Sequence, residues 1–222
     1  MAPTNTRRHI RQVINELAET IRERDRVTYD HCRRVAIYAQ RLARAVGLQR
    51  TAARTIAQAA LVHDLGKTWM QNEVLNKPSA LSLDERHEME RHPIIAARIM
   101  MAYDAPDELI DIVRHHHEAY DGSGYPDGIK GAAIPLGARI LTIADVFDAL
   151  TTQRPYKEAM SLEVAREHIA ARAGKMFDPA ITDVFLHLLN ERQDFQIAMH
   201  TTCPLPAIDP TWDAHDNFDL AS

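Results

Sequence analysis

The apolar run Ala59, Ala60, Leu61, Val62 leads directly into His63 and Asp64. A carboxylate and an imidazole at the end of a run that reads as a buried helix constrain this chain more than any other feature. Burying an isolated carboxylate costs too much unless it is paired or bound to a metal. The same conflict recurs elsewhere. His31 shares a helical face with Val35, Tyr38 and Leu42. His92 stands just before Pro93, and His116 and His117 follow Ile110, Ile112 and Val113. Asp145 sits inside ARILTIADVFDAL (138–150), a helix apolar nearly all round and so expected to be buried. One histidine on an apolar face is usually a hydrogen-bonded core residue. Five segments with the same misplacement ask for a common cause.

The pattern between these residues is helical. Ile10, Val13, Ile14, Leu17 and Ile21 form one stripe, and Val35, Tyr38, Leu42 and Val46 form another that stops at Gly47. An Ala- and Leu-rich helix over 52–65 is expected to stop at Gly66. Ser82 with Glu85 predicts a capping box opening a helix over 83–91, and Pro93 suits the first position of the next. Further helices are expected over 107–118 and 137–152. Ser161 should cap one running to about Ala173, and Asp178 with Pro179 should start the last, to about Asn190. No strand-like alternation persists. The expectation is an all-α bundle in three parts: an N-terminal helical extension (1–26), a central helical domain (27–192) and an irregular or disordered tail (193–222), whose residues from Thr201 hold three prolines and many acids.

Composition excludes several function classes. A net charge of −5 leaves no footprint for a nucleic-acid polymer. No apolar run reaches membrane-spanning length. The start, MAPTNTRRHIRQ, lacks the apolar centre of a secretory signal. Two cysteines, Cys32 and Cys203, make no disulfide framework and suit a reducing cytoplasm. Twelve histidines in 222 residues exceed what a surface needs. Imidazole nitrogen and carboxylate oxygen suit iron, manganese or zinc, and a carboxylate can bridge two ions. Seven candidate ligands are too many for one tetrahedral ion and about right for two.

The order H…HD…H…HH…D on successive segments resembles the HD superfamily of metal-dependent phosphohydrolases. Longer stretches narrow the resemblance: LVHDLGK (61–67), VLNKPSALSLDE (74–85), HPIIAARIM (92–100), HHEAYDGSGYPDG (116–128), IPLGARILTIADVFDALTTQRPYK (134–157) and FDP (177–179) together resemble the HD-GYP family. The resemblance implies an all-helical fold enclosing a di-metal site, and hydrolysis of a cyclic dinucleotide, chiefly cyclic di-GMP, to linear pGpG, GMP or both. Iron or manganese is the expected metal, with zinc and nickel as alternatives. Carried over by position, His31, His63, Asp64 and Asp145 resemble the ligands of one ion, with Asp64 bridging. His92, His116 and His117 resemble the ligands of the other. Lys67 matches a lysine that touches the scissile phosphate. Arg154 and Lys157 match positions that hold the nucleotide.

The run 121–128 is a loop expected to turn sharply beside the site, with Gly122 and Gly124 allowing positive φ and close backbone approach. Tyr125 is either a substrate contact or loop packing. The family's glycine–tyrosine–proline triplet, here Gly124, Tyr125 and Pro126, is also linked to docking of partner proteins. His115 falls outside the ligand register. Glu118 suits a hydrogen bond to a ligand histidine or a surface salt bridge. Some family members place a third-metal glutamate where this chain has Val27, so two ions are expected. Two other functions remain open: a phosphodiesterase for 3′,3′-cyclic GMP-AMP, and a receptor or docking module that binds cyclic di-GMP without turnover. The stripe in 7–24 can pair with a second copy in a homodimer or pack on its own core.

Overall fold

In a computed structural model, residues 3–70, 77, 81–153 and 158–191 are described. The fold is all-α, with no β-strand among the described residues. α1 (Pro3–Arg24) and α2 (Arg26–Ala45) are separated by Asp25 alone. Asp25 takes an extended conformation, and its carboxylate accepts hydrogen bonds from the Val27 and Thr28 amides. One side chain thus both ends α1 and caps α2. The α1 stripe Val13, Ile14, Leu17, Ala18 and Ile21 is buried, and α1 packs on α2 and α3 (Arg50–Val62). Of the two uses open to this stripe, packing on its own core is the one seen.

α2 is the hub. It touches α1, α3, α7 (Leu136–Thr151) and α9 (Pro179–Glu191). α2 and α3 both bury alanines, Ala36, Ala39 and Ala43 on one and Ala53, Ala57 and Ala60 on the other, so the two backbones can approach closely. α7 is buried nearly all round and runs through the middle of the bundle. α4 (Leu83–Met89) opens with the expected capping box of Ser82 and Glu85. α5 (His92–Ala102), α6 (Asp107–Arg114) and α8 (Leu162–Ala170, capped by Ser161) complete the set.

Several boundaries differ from the sequence reading. α3 ends at Val62, and residues Leu65–Trp69 form a 3-10 turn that contains Gly66. Gly66 is therefore no terminator. A Cβ there would lie 2.0 Å from the carbonyl oxygen of His92, so glycine is what lets α5 close onto this turn. Pro93 is the second residue of α5, not the first. α4 stops at Met89 and α8 at Ala170. α6 stops at Arg114, which leaves His116 and His117 in the turn beyond it. Adjacent residues of a helix point about 100° apart, whereas these two rings lie 4.0 Å apart between centroids. The break allows both to face one place. Arg154, Lys157 and the tail lie outside the described residues. Among the described residues no helix is long and apolar enough to cross a membrane.

Candidate metal centre

Five short segments deliver seven side chains to one place. α2 presents His31, and the C-cap of α3 presents His63 with Asp64 directly after it. The start of α5 brings His92, the turn after α6 brings His116 and His117, and the middle of α7 brings Asp145. His63, Asp64, His92 and His116 are fully buried, and His31 nearly so. Asp145 is a correction to the sequence reading: its side chain keeps 14 % exposure and is not fully buried.

The candidate ligand atoms fall into two groups around Asp64. Asp64 Oδ2 lies 3.8 Å from His31 Nε2 and 3.6 Å from His63 Nε2. Asp145 Oδ1 lies 3.0 Å and 3.8 Å from the same two nitrogens. The other oxygen, Asp64 Oδ1, faces His92 Nε2 at 3.4 Å, and His92 Nε2 is 3.3 Å from His116 Nε2. The His117 ring is 4.9 Å from the His92 ring. Donor atoms around one shared ion at about 2.1 Å stand about 3.0–3.4 Å apart; the His31–Asp145, Asp64–His92 and His92–His116 spacings fall in that range, and the contacts of His63 and of His31 with Asp64 and of His63 with Asp145 are a few tenths of an ångström wider. Two atoms at the meeting of the groups, His63 Nε2 and Asp64 Oδ1, are buried with no hydrogen-bond partner. Such orphans are costly unless something satisfies them. A divalent cation on each side of Asp64 would do so.

The rings are aimed by their other nitrogens. His63, His92 and His116 each set Nδ1 against a backbone carbonyl three residues earlier, on Ala60, Met89 and Val113. Each Nε2 is then free to act as a ligand. Thr142 on α7 donates its hydroxyl to the His116 carbonyl at 2.8 Å, fixing that turn to the helix that carries Asp145.

The loop after His117 is fastened at several points. Tyr125 N donates to His117 O at 3.2 Å, and the Tyr125 ring lies tilted 5.0 Å from the His117 ring. Glu118 answers neither expected role. It is buried, and its Oε1 accepts from the amides of Asp127 and Gly128, so it pins the far end of the loop. His115 turns away from the centre to Asp127, which also takes a two-pronged ion pair from Arg114. Gly122 has the positive φ expected of it, 88°. Gly124 serves close approach instead: a Cβ there would meet Ala119 N at 2.2 Å and His117 O at 2.5 Å.

Electrostatics separate the two groups. Burial holds His92 and His116 well below the usual imidazole range, helped by Lys67 at the first and His117 at the second. Burial pushes His117 down to about 4. All three imidazoles are therefore neutral at neutral pH. At His31 burial is outweighed by hydrogen bonds to Asp145 and Asp148, and at His63 by the charge of Asp64, so both are raised. Burial would also raise Asp64, but Lys67 and His63 hold it well below the usual carboxylate range. At Asp145 the hydrogen bond of His31 and the charges of His31 and His63 likewise overcome burial. The His31–His63–Asp145 side therefore attracts positive charge. Lys67 supplies some of it, donating from Nζ to Asp64 Oδ2 at 2.7 Å.

Two residues at the site went unread in the sequence. Asp148 bonds directly to His31, and Arg34 grips Asp148 from the same helix as His31. Asp148 gives the signal that revealed Asp145, an acid within an apolar helix, only three residues further on.

The HD domain family model matches residues 15–181. A cyclic di-GMP phosphodiesterase response regulator of Xanthomonas campestris, RpfG, is 42% identical over 180 residues, covering 79% of this chain and 47% of that protein. A 3′3′-cGAMP-specific phosphodiesterase of Vibrio cholerae is 35% identical over 198 residues, covering 87% of this chain and 37% of the other. The chain thus spans about half or less of the curated relatives it matches. Among solved structures, a cyclic GMP-AMP-specific phosphodiesterase of V. cholerae superposes with a TM-score of 0.66 at 20% identity, over 87% of this chain and 51% of that one. That likeness is one of fold.

Proposed function

Because the chain belongs to the HD domain family, in its HD-GYP branch, we propose that it is a metal-dependent phosphodiesterase that hydrolyses cyclic di-GMP to linear pGpG, GMP or both. The observation that carries the reading is the two-sided setting of Asp64, with one oxygen toward His31 and His63 and the other toward His92. In this reading residues 27–192 are the catalytic unit. His31, His63 and Asp145 hold one divalent ion, His92, His116 and His117 hold the other, and Asp64 is shared. The all-nitrogen-and-oxygen donor set supports iron or manganese ahead of a thiolate-bound metal, with zinc and nickel as alternatives. Such ions, when bound, generate a nucleophile from water at neutral pH and draw charge off the phosphodiester.

The chain's own groups do the rest. Three neutral imidazoles offer lone pairs without first losing a proton. The walls around Asp64 exclude bulk water, which strengthens every charge inside. Lys67, held at Asp64 Oδ2, is placed to meet the phosphoryl oxygen on which charge gathers during in-line attack opposite the ribose 3′ oxygen. Tyr125, whose ring lies against His117, is proposed as a substrate contact. Arg154 and Lys157, outside the described residues, are proposed to hold the outer parts of the dinucleotide. The half-buried Gly124, Tyr125 and Pro126 turn is a proposed protein docking point, and the cytoplasm is the proposed setting. A second reading, hydrolysis of 3′,3′-cyclic GMP-AMP, is favoured by the Vibrio relative bearing that specificity.

Elemental analysis after anaerobic purification, then product analysis with both cyclic dinucleotides, tests the proposal. About two ions per chain and linear product from cyclic di-GMP are expected. Metal-bound protein that binds the dinucleotide without turnover would make it a receptor. Active, metal-free protein would end the metal reading.

A further inference from the structure

The buried histidines of the centre do not share one kind of support. Three of them, His63, His92 and His116, set Nδ1 against neutral backbone carbonyls at 2.7, 2.7 and 2.6 Å. His31 sets Nδ1 against a carboxylate, Asp148 Oδ2, at 2.7 Å. Asp148 is completely buried, and Arg34 grips it with a fork, Nε to Oδ1 at 2.7 Å and Nη2 to Oδ2 at 2.9 Å. The spacing explains the construction. Arg34 follows His31 by three residues on α2, and Asp148 follows Asp145 by three on α7, so each pair shares a helical face. Asp145 meets Nε2 of the His31 ring and Asp148 meets Nδ1.

We propose that Arg34 and Asp148 form a positioning unit for His31 that makes the His31–His63–Asp64–Asp145 half of the centre the tighter metal site. Three physical effects lead there. An acceptor on Nδ1 keeps the proton there and leaves Nε2 bare as a ligand. An anionic acceptor makes that nitrogen a better donor to a cation than a carbonyl does. The guanidinium fork fixes the plane of the carboxylate, which a single charge on a flexible stem would not. It also offsets the burial of Asp148, so the negative charge is retained inside the fold. Of these four histidines, His31 is the one with an anion behind its ring and a cation clamping that anion.

The inference rests on the two-ion reading above, and one titration separates the two. Apo-protein is titrated with Mn(II), with free ion read by electron paramagnetic resonance and bound ion by elemental analysis. Wild-type protein should fill in two steps. Asp148→Asn keeps an oxygen for Nδ1–H but removes the charge, and should weaken the first step by about 10- to 100-fold while leaving the second where it was. Arg34→Gln should weaken the same step by a smaller factor. It serves as the second variant if Asp148→Asn does not fold, because Arg34 lies at the rim with a 20% exposed side chain. Both steps unchanged in the variants, or both weakened alike with a lower melting point of the apo-protein, would show that the pair is structural and overturn the inference. Wild-type protein that takes up no Mn(II) would overturn the two-ion reading itself.

Discussion

Replacing Gly124 by alanine tests whether the 121–128 loop belongs to the centre or only to its surroundings. The added Cβ would stand 2.2 Å from Ala119 N, 2.5 Å from His117 O and 2.6 Å from Glu118 Cα, all backbone atoms. Carbon contacts are comfortable only from about 3.5 Å, so the loop must back away by roughly 1 Å. That movement breaks the Tyr125 N to His117 O hydrogen bond and releases the ring lying on His117. Overpacking of about 1–3 kcal/mol and a lost hydrogen bond of about 1 kcal/mol together suggest a melting point lower by roughly 5–15 °C for a chain of this size. A misplacement of this size at a reacting centre can cost about 10²-fold in rate. Purified Gly124→Ala should therefore show reduced metal content, a kcat on cyclic di-GMP lower by on the order of 10²-fold, and unchanged helix content by circular dichroism. Ser123→Ala, a change in the same loop that adds no bulk, should stay near wild type. If Gly124→Ala keeps its ions, its rate and its melting point, the loop does not hold His117, and a role confined to partner docking gains the ground.

Asp64→Ala removes the shared carboxylate and should abolish turnover with helix content retained; wild-type rates in this variant would remove Asp64 from the centre. Val27 is exposed on the first turn of α2, one turn before His31, so elemental analysis should find two ions in wild-type protein and a third in Val27→Glu; three in wild type would mean another residue supplies the missing ligand. Lys67→Ala should lower kcat by on the order of 10²-fold or more, as a lost oxyanion donor does. Arg154→Ala and Lys157→Ala should instead raise KM, since contacts to the outer parts of a substrate are made equally in the ground and transition states. Steady-state kinetics of the three read the split, and the reverse pattern would exchange the roles.

The helical class was legible because apolar residues recur at helical spacing, as in the α1 stripe, and caps such as Ser82 with Glu85 and Ser161 sit where local chemistry wants them. The candidate ligands were legible because imidazoles and carboxylates interrupt apolar runs, and burial of such groups needs a reason that the sequence itself displays. Local signals failed where a partner lies far along the chain. Gly66 reads as a stop but answers to the His92 carbonyl, and α6 reads through to residue 118 yet breaks at Arg114 so that two adjacent histidines can converge. Glu118 finds backbone amides rather than a side chain, nine and ten residues on. Asp148 meets His31 across 117 residues. Which segments are helical and which residues are too polar for their places can be read along the chain, because both follow from the side chains of neighbours a turn away. Which oxygen faces which nitrogen, and which histidine has an anion behind it, emerges only in the folded chain, because those distances depend on how α2, α5 and α7 pack, and packing is a property of the whole core.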